Sequence, residues 1–253
     1  MRITSILKSL CLHPKILLKS DNIFLISHMR GNTSLLSHLL GNHSEIEGYY
    51  EMHIGYYSWK SLFRQKLLYL EEHSVKKSSH YYFDKILHNE HYIDQKILQQ
   101  SKIIIMLREP EQSIRSIMNL YLKIDPSHPF CQEKNASQYY IERLQEIHHL
   151  AQQIPNKFYY LQAEDLRQQT EKELLNLQKF LNLNSLIPTE YKNFTNTGKE
   201  KYGDSSNNIT TGKVQKKETD YSDITITKTT LALAEIAYKE TVAYCKKNTI
   251  KNS

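Results

Sequence analysis

The chain has 253 residues, of which 40% are hydrophobic and 24% charged, with 33 Lys and Arg against 27 Asp and Glu. That is the profile of an ordinary globular protein, long enough for one sizeable domain with a buried core. The balance of +6 and a pI of about 9.0 suit an anionic partner, such as a nucleotide, a sulfated or phosphorylated group, nucleic acid or a membrane face, or else a merely solvated basic surface.

Cys11, Cys131 and Cys245 lie far apart, so neither a disulfide framework nor a metal-binding spacing is visible, which suits a reducing compartment. Residues 1–20 are mildly apolar but broken by Lys8, His13, Pro14 and Lys15. They read as a short helix or docking segment ahead of a domain over 21–253. No apolar run reaches the length of a signal peptide or a membrane span, and a cytoplasmic setting is expected.

In chain order, Ile23–Ser27 is a compact apolar run, expected as a buried parallel strand. A helix follows with Leu35, Leu36, Leu39 and Leu40 on one face and Gly41 as its stop. Residues 48–53, GYYEMH, are expected as a second strand, 56–72 as helix and Tyr81–Phe83 as a third strand. Residues 90–100 read as helix, and Lys102–Leu107, KIIIML, is the clearest strand. Pro110 opens the next helix, where its missing N–H costs nothing. A helix over 137–153 carries Ile141, Leu144, Ile147 and Ala151 on one face, and Lys157–Leu161 is a further strand. Thr170 and Glu173 form a capping-box pattern opening a helix to about 182, and 228–247 is a closing helix. Residues 192–220, rich in Lys, Gly, Asn, Ser and Thr, read as a functional loop or a disordered stretch. Strands alternating with helices indicate an α/β domain with one parallel sheet flanked by helices.

The first strand, turn and helix raise the functional question. Arg30, Gly31, Asn32, Thr33 and Ser34 offer consecutive backbone donors, two hydroxyls and a guanidinium, a set that suits a phosphate or sulfate ester. The ATPase pattern G-x-x-x-x-G-K-[ST] is absent, and the strongest strand ends in Arg108 where a nucleotide kinase wants a metal-holding acid. A second anion therefore suits that strand end better than a metal. Arg108 and Ser116, eight residues apart across a strand end and the following helix, can converge over the carboxyl edge of the sheet.

Met29-Arg30-Gly31-Asn32-Thr33-Ser34-Leu35-Leu36 resembles the first nucleotide-binding loop of sulfotransferases that use 3′-phosphoadenosine 5′-phosphosulfate (PAPS), with its P-R-S-G-T-T-L-L pattern. The resemblance implies a fold like that of P-loop nucleotidases, with Arg30 through Ser34 at the 5′-phosphosulfate end. It also implies Arg108 and Ser116 at the 3′-phosphate, and 3′,5′-phosphoadenosine as the product. Asn32 stands where the family has Gly; if that position needs a positive φ, Asn tolerates it well. The late segment 197–214 resembles the family's C-terminal cofactor loop, which points to Lys199, Lys201 and Gly203. Glu164-Asp165-Leu166 match the family's E-D-L, but the Tyr before them is Ala163 here, so another aromatic is needed at the adenine.

Sulfuryl transfer needs a base for the acceptor hydroxyl and cations for the charge on the sulfuryl group and leaving oxygen. Glu51 and His53, two apart in GYYEMH, are the base candidates, Glu51 by likeness to the carbohydrate and tyrosylprotein enzymes and His53 by likeness to the small-molecule ones. Arg30 and Lys85 are the cation candidates, although the proline expected after the lysine is absent. No metal is expected, and the twelve histidines show no H-E-x-x-H spacing; His38 and His43 read as surface or satisfied residues. Trp59 could line an acceptor pocket, with helix packing the better reading. A hydroxyl-bearing acceptor is implied (sugar, tyrosine, lipid or small phenol), with no nucleic acid. The alternative is a non-catalytic nucleotide-binding protein of the same fold.

Overall fold

The computed structural model describes residues 14–199, 207–216 and 219–250. Five strands, β1 (Asp21–Ile26), β2 (Ile46–Glu47), β3 (Tyr81–Ile86), β4 (Lys102–Leu107) and β5 (Phe158–Gln162), form one sheet among the described residues in the order β2-β3-β1-β4-β5. Every pairing in it is parallel. The α-helices of the described residues are α1 (Thr33–Gly41), α2 (Trp59–Glu72), α3 (Gln95–Gln100), α4 (Pro110–Ile124), α5 (Glu133–Gln152), α6 (Ala163–Gln168), α7 (Thr170–Leu181), the short α8 (Asn207–Thr210) and α9 (Lys228–Asn248).

The central strands are apolar on both faces because each face carries its own core. Phe24, Ile26, Ile103, Ile105 and Leu107 join Ile114, Ile117, Leu144 and Ile147 from α4 and α5. The alternate residues Ile23, Leu25, Ile104 and Met106 meet Leu36, Leu39, Leu40, Leu174 and Leu177 from α1 and α7 on the other face. This is the period of two of a strand, and each such side chain is worth about 1.5–3 kcal/mol when buried. α9 packs along α5, and the turn at Pro14–Leu17 is held to α2, where the buried Lys66 ammonium donates to the carbonyls of Ile16 and Leu18.

Several expected boundaries move for identifiable reasons. The helix expected from 56 starts at Trp59, capped by the Ser58 hydroxyl on Lys60 N–H. The one expected from 90 starts at Gln95, because Asp94 caps Lys96 N–H and residues 92 and 94 exchange backbone bonds with Tyr56. The buried face of α5 runs through Tyr140 and Arg143, with Ile141 only partly buried. The capping box does not form: Thr170 donates its hydroxyl to Leu166 O, and Glu173 accepts from the Tyr159 hydroxyl at 2.7 Å. Gly41 does not stop α1 by a left-handed turn. It is small because a Cβ there would lie 2.7 Å from Gly48 O and 2.7 Å from Tyr49 Cβ.

GYYEMH is not a strand. β2 ends at Glu47, and Gly48 then turns with φ 101, so close to β3 that a Cβ would lie 2.3 Å from Phe83 O. Beyond it Met52 N–H donates to the Asp84 carboxylate instead of a strand neighbour. Gly48→Ala therefore meets both a forbidden φ and a backbone clash. We expect it to lower stability by about 1–3 kcal/mol, read as a Tm drop of roughly 2–4 °C per kcal/mol.

Candidate active site

The chain leaves β1 and returns to the sheet on both of its sides, at β3 and at β4, so the carboxyl ends of β1 and β4 flank a topological switch point. Open α/β sheets bind ligands at such a crevice. Residues 27–32 leave β1 there, and Arg108 leaves β4 beside them.

The loop is strained and braced. Arg30 and Asn32 both adopt left-handed backbone, at φ 62 and 60, on either side of Gly31, a conformation that costs a residue with a side chain roughly 1–2 kcal/mol. At Gly31 a Cβ would sit 2.8 Å from Ser27 Oγ and 3.2 Å from His28 O. The positive φ that an Asn at position 32 was expected to tolerate is thus present. The bracing comes from beneath. Ser27 donates to Met106 O, and the Tyr139 hydroxyl accepts from Met29 N–H and donates to Leu87 O. The buried Arg143 guanidinium donates to Ser27 O at 2.8 Å, to Ile86 O at 2.6 Å and to the Asn89 side chain at 2.9 Å.

His28 joins the loop to β4. Its Nε2 accepts from Arg108 N–H at 3.1 Å, so the ring proton lies on Nδ1 and is donated to Met29 O at 2.8 Å. Burial, with help from the nearby Arg108 and Arg143 charges, lowers its pKa from 6.5 to about 4.

Arg108 and Ser116, expected to converge, are linked through Arg30, which was expected at the other anion. Arg30 Nε donates to Ser116 Oγ at 2.9 Å, and Arg108 Nη1 donates to Arg30 O at 3.3 Å. The Arg30 side chain thus reaches across from the β1 loop to Ser116 on α4. Ser116 also bonds the Tyr221 hydroxyl at 3.0 Å, a contact from the late part of the chain that sequence reasoning missed. Glu164 flanks the strand end, 4.0 Å from Arg108 Nε. At the start of α1, Asn32 makes no side-chain cap bond and its Nδ2 is buried with no hydrogen-bond partner. An orphaned donor at a helix start, two arginines and a hydroxyl fit a doubly anionic nucleotide.

The second cluster lies beyond the end of β3. Glu51 is buried, His53 is 53% exposed, and their side chains approach to 3.6 Å. They converge through an irregular loop, not by strand alternation: His53 itself has φ 51. His91, which no sequence motif flagged, lies 3.4 Å from the same Glu51 oxygen. Burial pushes the Glu51 pKa up, but His91, Lys85, His88 and His53 together outweigh it and hold the carboxyl below its ordinary value, ionised at neutral pH. Lys85 is not a surface lysine after a strand. It is within β3, 1% exposed, and acts electrostatically on Glu51.

Other expected residues fall elsewhere. Lys199 donates to Asn196, and Lys201 and Gly203 lie outside the described residues. Ala163 is fully buried at the start of α6 and presents no face to a ligand. Trp59 does not pack its helix; it is 70% exposed, as is much of Tyr57, which stacks on Tyr92 beside His91. His38 and His43 are buried and satisfied, bonded to Ser34 O and Thr197, and to Ser185.

No protein-family model matches the chain, and no curated protein does. Solved structures do. The sulfotransferase domain of the Synechococcus PCC 7002 olefin synthase superposes with a TM-score of 0.58 at 18% identity, over 86% of this chain and 94% of that one. The chain has the sulfotransferase fold. The sulfotransferase domain from the curacin biosynthetic pathway gives 0.54 at 17% identity over 87% and 98%. Mouse sulfotransferase SULT7A1, complexed with PAP, gives 0.55 at 14% over 91% and 89%. No helix among the described residues is long and apolar enough to cross a membrane.

Within this sulfotransferase fold, His28 makes an acid-sensitive brace. Its folded pKa lies below its unfolded one, so its contribution is complete above pH 6.5 and is lost as pH falls toward 4. At 1.36 kcal/mol per pKa unit the loss is about 3 kcal/mol. Unfolding curves of His28→Asn, which keeps a donor for Met29 O, are expected to lack that acid limb. An unchanged limb in the variant would assign it to other groups.

Proposed function

We propose that the chain moves a sulfuryl group from PAPS to a hydroxyl acceptor, and that it works in the cytoplasm without a catalytic metal. The observation that carries this is the pairing of two sites on one sheet edge of a sulfotransferase fold. An Arg30–Arg108–Ser116 group with an orphaned Asn32 donor suits a nucleotide with two anionic ends, and an ionised, buried Glu51 sits near a buried Lys85.

PAPS, when bound, supplies the sulfuryl group and a phosphate leaving group. The backbone N–H groups of 31–34 and the two hydroxyls hold the 5′ end. Arg108, Ser116 and the Arg30 guanidinium hold the 3′-phosphate, and the family resemblance adds Lys199, Lys201 and Gly203 to the same site. Glu51 Oε takes the acceptor proton, since it is already ionised, and His53 is the second choice for that role. Lys85 stabilises negative charge on the sulfuryl and leaving oxygens, as a preorganised cation does in a water-poor site, while Arg30, expected to share that role, is drawn to Ser116. Tyr57, Trp59 and Tyr92 are exposed, and we propose them as acceptor contacts.

The buried Ala163 favours a second reading, a nucleotide-binding protein without transfer activity, because the aromatic that would face adenine is missing from that position. Sulfate transfer to any hydroxyl acceptor refutes it.

Three measurements test the assignment. With 3′,5′-phosphoadenosine at about 100 times its Kd, about 2.7 kcal/mol of added stability should raise Tm by roughly 5–10 °C without magnesium. The 3′-dephospho analogue should do much less, and a shift only with ATP and magnesium would indicate a kinase. Arg108→Ala should weaken the 3′-phosphorylated nucleotide far more than its 3′-dephospho form; equal weakening would remove Arg108 from the 3′-phosphate. Glu51→Gln should abolish turnover while nucleotide binding persists, and loss of nucleotide binding would take Glu51 out of the base role.

A further inference from the structure

We infer that Glu51, His53 and His91 form a binding site for one divalent transition-metal ion, of which zinc is the natural occupant. One ligand atom from each of Glu51, His53 and His91 lies within 4.8 Å of the other two. Tetrahedral bonds of about 2.0–2.1 Å put neighbouring ligand atoms about 3.3–3.4 Å apart. Here the carboxylate oxygen is 3.4 Å from His91 and 3.6 Å from His53. Two imidazoles and one carboxylate with a free fourth position is a recurrent zinc donor set.

A second observation points the same way. Glu51 Oε1 and His91 Nδ1 are both buried and make no well-formed hydrogen bond; each has the other 3.4 Å away as an ion-pair partner. A contact that long satisfies buried polar atoms only weakly. An ion between them satisfies both at once. The half-exposed His53 stands on the solvent side and gives the ion a way in. Imidazole donors select a borderline metal over magnesium or calcium, which want oxygen ligands.

The consequence rests on the base role proposed for Glu51. An ion on Oε1 occupies the lone pair that would receive the acceptor proton, so the filled site is an off state. The metal inhibits transfer and serves no step in it.

The test uses the metal-stripped full chain. Zinc titrated by calorimetry is expected to bind one ion per chain, and cobalt(II) to give visible bands of nitrogen and oxygen coordination. His53→Ala, at a half-exposed position, is expected to weaken zinc by at least as much as losing an outer-shell partner does, about 10–100-fold, and His91→Ala likewise. Absence of one-to-one binding, a thiolate-to-cobalt band, or zinc affinity unchanged in both variants would overturn the site. These readouts need no turnover, so a chain that transfers no sulfate still decides them. Where transfer is measured, zinc should suppress it and a chelator restore it. Transfer that continues with the site filled would overturn the off state while leaving the metal site in place.

Discussion

Everything at the ligand-facing edge depends on how the strand ends are tied. A parallel sheet finishes in carbonyls with no ladder partner, and the loop that leaves β1 carries two left-handed residues it would not adopt by itself. Arg143, reaching from α5, spends its guanidinium on the carbonyls of Ser27 and Ile86 and so clamps β1 to β3. His28 does the same between β1 and β4 through the Arg108 amide. The two clamps meet at the first residues after β1. The Arg30–Ser116 contact and the Arg108 side chain are built on top of them.

The clamps also separate two kinds of positive charge. Arg108 and Arg30 are oriented by backbone and hydroxyl partners and face the crevice. Arg143 is 1% exposed and spoken for. A buried cation surrounded by carbonyls is held by several charge-assisted bonds at once, each worth about 1.5–3 kcal/mol, and its desolvation lowers its pKa to about 10, which leaves it charged.

Much of this was legible from sequence where local rules decide. KIIIML is apolar on both faces and can only be a central strand. The eight-residue step from Arg108 to Ser116 is set by a strand end and a Pro-initiated helix. Asn32 could be read as a residue suited to left-handed backbone. The failures share a cause, which is that distant partners override local patterns. Residues 48–53 read as a strand that puts Glu51 and His53 on one face, but Gly48 turns under Phe83 and Asp84 takes the Met52 amide. His91 is forty residues from Glu51 and has no spacing rule to announce it. Arg143 has the residue type of a solvent-facing helix position, yet with Tyr139 and Tyr140 it supports the loop from below. Thr170 and Glu173 satisfy a capping pattern whose Glu is claimed by Tyr159.

The carbonyl-capping habit recurs. Lys66 closes the turn at Pro14–Leu17, and Lys76 Nζ donates to the carbonyls of Gly41, His43 and Ile46. Arg143 and Arg167, the latter on the carbonyls of Gln215 and Lys216, act as internal fasteners in the same way. They count in the +6 but sit where backbone dipoles turn toward them and little of their field escapes as a broad surface potential. What an approaching anion meets is a local well at the β1–β4 crevice, more than a generally basic particle. Capture by such a well is short-ranged and selective for shape, so ions in the medium compete for one crevice and not for the whole face of the molecule.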